Sequence, residues 1–376
     1  MKPYRQPAHE FARLIDETNY ADQPQVYYDG IRDTGIPYLC CHGGRPAAVF
    51  EQTFECVYIL ARASLPLTVA LAQHLYVISS LALAPFEDGH PLLKKRDRIV
   101  ADFAKHKLLI TVSTFGSDID DGSRAGVQIE AADKGFVANG GALFQSQARQ
   151  ADLLAFAAET PDGATAYFLS PLKGQEALKV GEAVFAWPMD HTDTRRLTFD
   201  GLRLGAPIIA DHQQTWDLLH YQTAWFQGLV SAAYLGAAAR ALEEARQILY
   251  DIPGPHGGPS AHLDSNVARM GRLVLEHRSA VNLVRRLGQR LGPVDMSLVL
   301  PLLDFSSAIK YHTTRVCNLV ADGIRSVTGT RCLRPGTMLE RVLFQLPYLG
   351  MHPLLPLAIE RDFGLQLLGS PEFIGL

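Results

Sequence analysis

The hydrophobic period of this chain changes twice, and those two changes fix what it can fold into. Up to Leu108, apolar residues recur every three or four positions. From Leu108 to Leu204 they come in short alternating runs separated by turn residues. From Trp216 onward the helical spacing returns. A stripe at that spacing faces a core from one side of a helix, whereas alternation belongs to a strand with one buried face. Helices, then strands, then helices is the order of an α+β protein, not of βαβ units built on a parallel sheet. The expected division is an N-terminal helical domain over 1–108, a middle antiparallel β-domain over 109–211 and a C-terminal four-helix-type bundle over 212–376. With 47% hydrophobic residues in 376, the chain has apolar mass for two or three domains.

Ala47–Leu65 and Leu67–Leu83 read as two packed helices, and Leu92–His106 as a charged, surface-facing one. A Gly/Pro-rich loop, Asp29–Pro46, leads into them. The apolar run Leu65–Phe86 is interrupted by Pro66, Gln73, His74, Ser79 and Ser80, so it reads as a buried helix and not a membrane span. His74 on that helix is expected to be a satisfied core histidine. The N-terminus is polar and helical in pattern, unlike a signal peptide. Five cysteines without a CxxC pair suggest reduced thiols in a cytoplasmic protein. Cys40, Cys41 and His42 are too close in sequence to reach one ion together, and no metal is expected. A net charge of −4 offers no basic field, so nucleic acid is excluded as a partner.

In the middle region, strands are expected at Leu108–Ser113, Ala125–Ala131, Gly135–Ala138, Ala142–Ser146, Leu153–Glu159, Ala164–Ser170, Glu182–Pro188 and Arg195–Leu204. Asn139-Gly140 between apolar runs signals a tight hairpin. Phe144 and Ser146 then fall two apart, on one face of the return strand. A flat aromatic beside a hydroxyl donor suits a flat, polar-edged ring such as a flavin, although ordinary sheet carries the same pattern. Beyond the sheet, Phe226–Tyr250, Leu263–Leu291, Met296–Arg325 and Met338–Leu349 read as helices, with a loop at Asp251–Ser260 and a break at Pro335-Gly336. Trp187, Trp216 and Trp225 are placed at the rim of the sheet and the start of the bundle, with Trp225 a candidate border of a substrate cavity.

Three strings give the layout a family resemblance. Ile110 to Asp118 keeps Thr111 and Gly116-Ser117-Asp118. Gly135 to Asp152 keeps Asn139-Gly140, Phe144-x-Ser146 and Ala151-Asp152. His191 to Leu204 keeps a Thr-x-Thr followed by Leu-x-Phe. In this order they resemble the acyl-CoA dehydrogenase superfamily. The resemblance implies an FAD site: Thr111 bonds the polar edge of the isoalloxazine, Gly116 and Ser117 face the pyrophosphate, Phe144 covers the ring and Ser146 donates near N5. Gly329 is the remaining glycine of the adenine-contacting stretch. The family forms dimers and tetramers through its bundle, so a homodimer or tetramer is implied.

The family's catalytic carboxylate is missing. Phe344-Gln345 and His352-Pro353 stand where Arg-Asp and Tyr-Glu belong, and Phe226-Gln227 occupies the alternative position. Three readings follow. The first is an FAD-dependent oxidoreductase acting on an acyl thioester, on CoA or a carrier protein, or on a related small molecule, with Glu340, Glu360 or Asp362 as a displaced base or as mere surface charges. The second is a flavin-dependent monooxygenase of the same fold, taking reduced flavin as co-substrate, with His352 as the catalytic residue near the missing Glu or simply a helix-terminal histidine. The third is a catalytically degenerate or non-redox subunit of a hetero-oligomer. Arg285-Arg286 and Lys94-Lys95-Arg96 are candidates to grip a carrier phosphate, or are solvated helix faces.

Overall fold

The computed structural model describes residues 2–18, 24–113, 126–255, 257–292 and 296–369. Gly116 and Ser117 lie outside the described residues. The N-terminal helices are α1 (Arg5–Thr18), α2 (Pro24–Asp33), α3 (Pro46–Ala61), α4 (Leu65–Leu83) and α5 (Pro91–His106). A proline opens each of α3, α4 and α5, where its missing N–H costs nothing. The expected loop over Asp29–Pro46 is half structured. It holds the end of α2 and a 3-10 helix, Ile36–His42, whose Ile36, Pro37, Tyr38 and Cys40 are buried. Apolar burial overrides the turn-rich composition there.

Helix α4 is interior on nearly every face. Its one imidazole is fully satisfied. Ile110 N–H donates to His74 Nδ1 at 3.2 Å, so Nε2 carries the proton and donates to Pro37 O at 2.9 Å. Burial, the larger cause, lowers its pKa to about 4. His74 thus pins α4 to the 3-10 helix and to the first strand.

The strands are β1 (Ile110–Ser113), β2 (Gln128–Ala131), β3 (Phe136–Gln145), β4 (Leu153–Glu159), β5 (Thr165–Pro171), β6 (Leu178–Ala183) and β7 (Arg195–Leu204). They form two sheets, ordered β1-β4-β5 and β2-β3-β7-β6, antiparallel except that β1 runs parallel to β4. Apolar residues from both sheets make a second core, including Leu154, Phe156, Phe168, Leu197 and Phe199.

Asn139-Gly140 does not turn the chain. β3 runs through it with a register shift against β7 between Ala138 and Gly140. Gly140 has φ 106, and a Cβ there would collide with the carbonyl oxygen of Gly126. The Asn139 side chain accepts the Gly201 N–H at 2.7 Å. The dipeptide therefore serves a bulge and a close backbone approach, which ask for the same residues as a hairpin turn. β6 also lies earlier than the expected Glu182–Pro188 strand.

The C-terminal helices are α6 (His212–Asp251), α7 (Asp264–Leu291), α8 (Val299–Thr328), α9 (Met338–Gln345) and α10 (Pro356–Gly369). α6 starts fourteen residues before the expected Phe226 (226 minus 212), where the Asp211 carboxylate caps it by accepting from Gln214 N at 2.8 Å. It is the axis of the molecule, packing on α3, α4, α7 and α8. One apolar core therefore joins N-terminal and C-terminal helices. α10 was not expected; its apolar residues include the exposed Leu357, Leu365 and Leu368, which give no one-sided period.

Candidate active site

The end of β3 meets β1 and the approach to β7 in a small buried cluster of hydroxyls. Thr111 on β1 donates to the backbone carbonyl of Ser146 at 2.8 Å. Ser146 Oγ lies 2.8 Å from Thr194 Oγ1, which lies 2.7 Å from Thr192 Oγ1. Thr192 in turn donates to Met189 O at 2.9 Å. All four side chains are buried. Thr111 and Ser146 are thus brought together as expected. The Thr111 proton goes to Ser146 O, while either Ser146 or Thr194 can be the donor of the bond between them.

Phe144 is not on the face of Ser146. A second register shift, between Ala142 and Gln145, and a φ of 67 at Phe144 turn its ring outward. It is 42% exposed and stacks on Phe185 with centroids 5.7 Å apart. Trp187 and Phe344, both exposed, pack on each other at 5.1 Å. Gln345 donates to Pro188 O at 2.8 Å. Phe344-Gln345 therefore ties α9 to the β6–β7 connection, in place of a charged pair. Trp225 is fully buried and packs against Phe50 with ring centroids 5.4 Å apart.

On the helical side, His352 follows the 3-10 helix Leu346–Met351. Its Nε2 lies 3.0 Å from the hydroxyl of Tyr234 on α6, and its ring meets Phe226 edge-on at 6.1 Å. A neutral ring accepts from the phenol when its proton sits on Nδ1 and donates to it when the proton sits on Nε2. Burial, and secondarily the charge of Lys310, lower the His352 pKa to about 3. The ring is neutral at physiological pH.

Glu340 is spent as a capping group, accepting the Gly336 N–H at 2.9 Å. Glu360 accepts from Tyr311 at 2.7 Å on the surface, and Asp362 is exposed. Arg285 is paired with Glu51 at 3.2 Å and Glu55 at 3.1 Å. Lys95 Nζ reaches Pro207 O, and Arg96 sits beside Asp97. Gly329 ends α8 with φ 58. Among the described residues no three His, Cys, Asp or Glu side chains gather, and all five cysteines are free.

No family model and no curated protein matches this chain. Solved structures do. FMN-bound TdsC from Paenibacillus sp. A11-2 superposes with TM-score 0.80 at 18% identity, over 97% of this chain and 96% of that one. Butyryl-CoA dehydrogenase from Megasphaera elsdenii gives 0.81 at 15%, over 97% of each. KijD3, in complex with FMN and a dTDP-amino-keto sugar, gives 0.80 at 17%, over 98% and 95%. This chain has the acyl-CoA dehydrogenase fold.

Within that fold, Tyr234 and Lys310 are the neighbours of His352 that motif reading missed. Lys310 on α8 is fully buried, and its Nζ donates to His352 O at 2.8 Å and Leu354 O at 2.6 Å. Among the described residues no carboxylate pairs with it. Burial lowers its pKa from 10.5 to about 8. The folded chain then releases this proton before the unfolded chain does. Between about pH 8 and 10.5 the unfolded state binds more protons, so this group's destabilisation, full below pH 8, fades as pH rises. Lys310→Met is expected to abolish that gain. Urea midpoints should show wild type gaining roughly 2 kcal/mol relative to the variant between pH 7 and pH 10. Parallel curves would refute it.

A cavity of about 240 Å³ opens elsewhere in the fold, lined by Ser64, Thr337, Arg341 and Gln345 among others. Neither the hydroxyl cluster nor His352 lines it, so it is not the site built above.

Proposed function

We propose that this chain is a flavin-dependent oxidoreductase of the monooxygenase kind, acting on a small molecule and taking flavin as FAD or as reduced flavin supplied to it. The observation that carries the reading is the group on the helical side. It is a neutral imidazole bonded to a phenol beside a buried amine, and among the described residues no carboxylate bonds to any of the three. Withdrawing the α-proton of an acyl thioester calls for a carboxylate within reach in this fold. A neutral His352–Tyr234 pair instead suits holding or passing a proton at an oxygen-bearing substrate.

The residues fit a flavin through the outward-turned ring of Phe144. An exposed aromatic stacks on a planar heterocycle, and Phe144 is exposed beside Phe185. A bound flavin supplies two-electron redox chemistry; the chain stacks it and holds the proton at His352. Two similar structures support the choice: TdsC is a dibenzothiophene monooxygenase, and KijD3 was solved with FMN. The exposed leucines of α10 support assembly into a homodimer or tetramer, or with a related subunit. Five free thiols support a cytoplasmic setting.

The test is made under argon. The protein should retain dithionite-reduced FMN or FAD through gel filtration, and butyryl-CoA should leave protein-bound oxidised FAD yellow. Bleaching by butyryl-CoA would instead make the chain a dehydrogenase. Retention of neither flavin state would favour the degenerate subunit.

A further inference from the structure

The geometry points to a separate ligand site, a pocket for a small organic carboxylate between the starts of α4 and α9. It is the cavity of about 240 Å³, and it does not depend on the flavin reading. Two helices begin on it: Ser64 is the residue before α4, and Thr337 the residue before α9. The first amides of a helix have no intrahelical acceptor, and the helix dipole places partial positive charge there. Arg341, which also lines the cavity, stands in the first turn of α9. A cation at that end of a helix has the wrong sign for the dipole, so the cluster calls for an anion. No carboxylate lines the cavity, and among the described residues no ion pair or hydrogen bond engages the Arg341 guanidinium. Glu340, its neighbour in sequence, is spent on the Gly336 N–H at 2.9 Å.

The Ser64 hydroxyl gives an independent sign. Ser64 is only 5% exposed, yet its side chain does not cap α4. Among the described residues its Oγ has no hydrogen-bond partner. A buried hydroxyl left in that state costs free energy unless an occupant of the cavity meets it. Thr337 is not in that state, because its hydroxyl donates to Arg334 O at 2.9 Å. Ser64 and Arg341 are thus the side chains with no bond of their own, beside the first amides of both helices. The remaining wall is largely apolar, with Ile15, Ala63, Leu65, Pro66 and Met338. A cavity of about 150 Å³ can hold benzene, so this larger one takes an aromatic ring with its carboxylate. The guanidinium fork matches a carboxylate, and the apolar wall favours a carbon body over inorganic phosphate. α9 runs into the 3-10 helix that ends at His352, so an occupied site braces the helical side without touching His352.

Calorimetric titration of the full chain with sodium benzoate, benzamide and inorganic phosphate tests this. One benzoate should bind per chain, at least ~10-fold more tightly than the neutral, nearly isosteric amide, because hydrogen bonds to a charged group are the stronger kind. Phosphate should bind more weakly than benzoate. Arg341→Gln should weaken benzoate by at least ~10-fold, and Ser64→Ala by ~3-fold. Arg341→Lys keeps the charge without the fork and should lose less than Arg341→Gln. Neither side chain is bonded in the free protein, so the variants should keep the far-UV circular dichroism of wild type. If Arg341→Gln fails to fold, Ser64→Ala and the wild-type ratio of benzoate to benzamide decide. Equal binding of benzoate and benzamide, or benzoate affinity unchanged by these substitutions, overturns the inference. Tighter binding of phosphate than of benzoate, or no benzoate binding at all, overturns it too.

Discussion

Replacing His352 by leucine should lower turnover with reduced flavin and dioxygen by roughly 10²- to 10⁴-fold, the range expected when a positioned proton-transfer group is removed. Flavin affinity should change little, because Phe144 and Ser146 stand on the sheet while His352 stands on the helical side. His352→Gln separates two roles. Glutamine keeps a hydrogen bond to Tyr234 but cannot exchange a proton. Rescue by glutamine would reduce His352 to a spacer; failure of rescue keeps it as a proton carrier. The pH profile gives an independent check. With the pKa lowered to about 3, the ring stays neutral across the working range, so the turnover rate should show no acid limb near pH 6.5 from this group. The same shift makes the fold acid-sensitive: the unfolded chain binds this proton below pH 6.5 and the folded chain does not until about 3, so stability falls as pH drops through that window. His74, lowered to about 4, adds to the loss.

The helical parts of this fold are legible because their period is undisguised: α3, α4, α7 and α8 fall within a few residues of where spacing and prolines place them. Periodicity says nothing of strand direction, so the parallel pairing of β1 with β4 was not readable. Asn139-Gly140 shows a second limit. Positive φ and a small side chain are demanded by a bulge as much as by a hairpin, and only the partner strand decides. In the site, the neighbourhood of Thr111 and Ser146 was visible through the three ordered strings. The run of hydroxyls beyond them was not, since Ser146 meets Thr194, forty-eight positions along, and Thr194 meets Thr192. Lys310 left no signal in the mixed stretch Phe305 to Val320, because an amphipathic helix normally carries lysine outward. Only the carbonyls of His352 and Leu354 explain why it turns in.

Gly236 links the stability of the molecule to its site. On α6 it faces α3, where a Cβ would stand on the carbonyl oxygen of Tyr58, well inside contact distance, with Ala61 Cβ at 3.1 Å. No rotamer change relieves a collision with backbone, so Gly236→Ala must push α6 away from α3 and loosen the core between them. Overpacking of this kind costs about 1–3 kcal/mol, occasionally more, against about 1 kcal/mol recovered from helix propensity. A net loss of ~1 kcal/mol is expected for alanine and a larger one for valine. Gly271 on α7 supplies the control: it has nothing within 4 Å of its would-be Cβ, so Gly271→Ala should stabilise by up to ~1 kcal/mol. Urea midpoints at unchanged slope should move in opposite directions for the two alanines. Tyr234 lies two residues before Gly236 on the same helix, 3.0 Å from His352. Displacing α6 therefore stretches the bond that holds the imidazole, and Gly236→Ala should lose turnover even where it stays folded, as a 1 Å misplacement at a reacting group can cost ~10²-fold. Full activity in folded Gly236→Ala would show that the Tyr234–His352 pair takes no part in the chemistry.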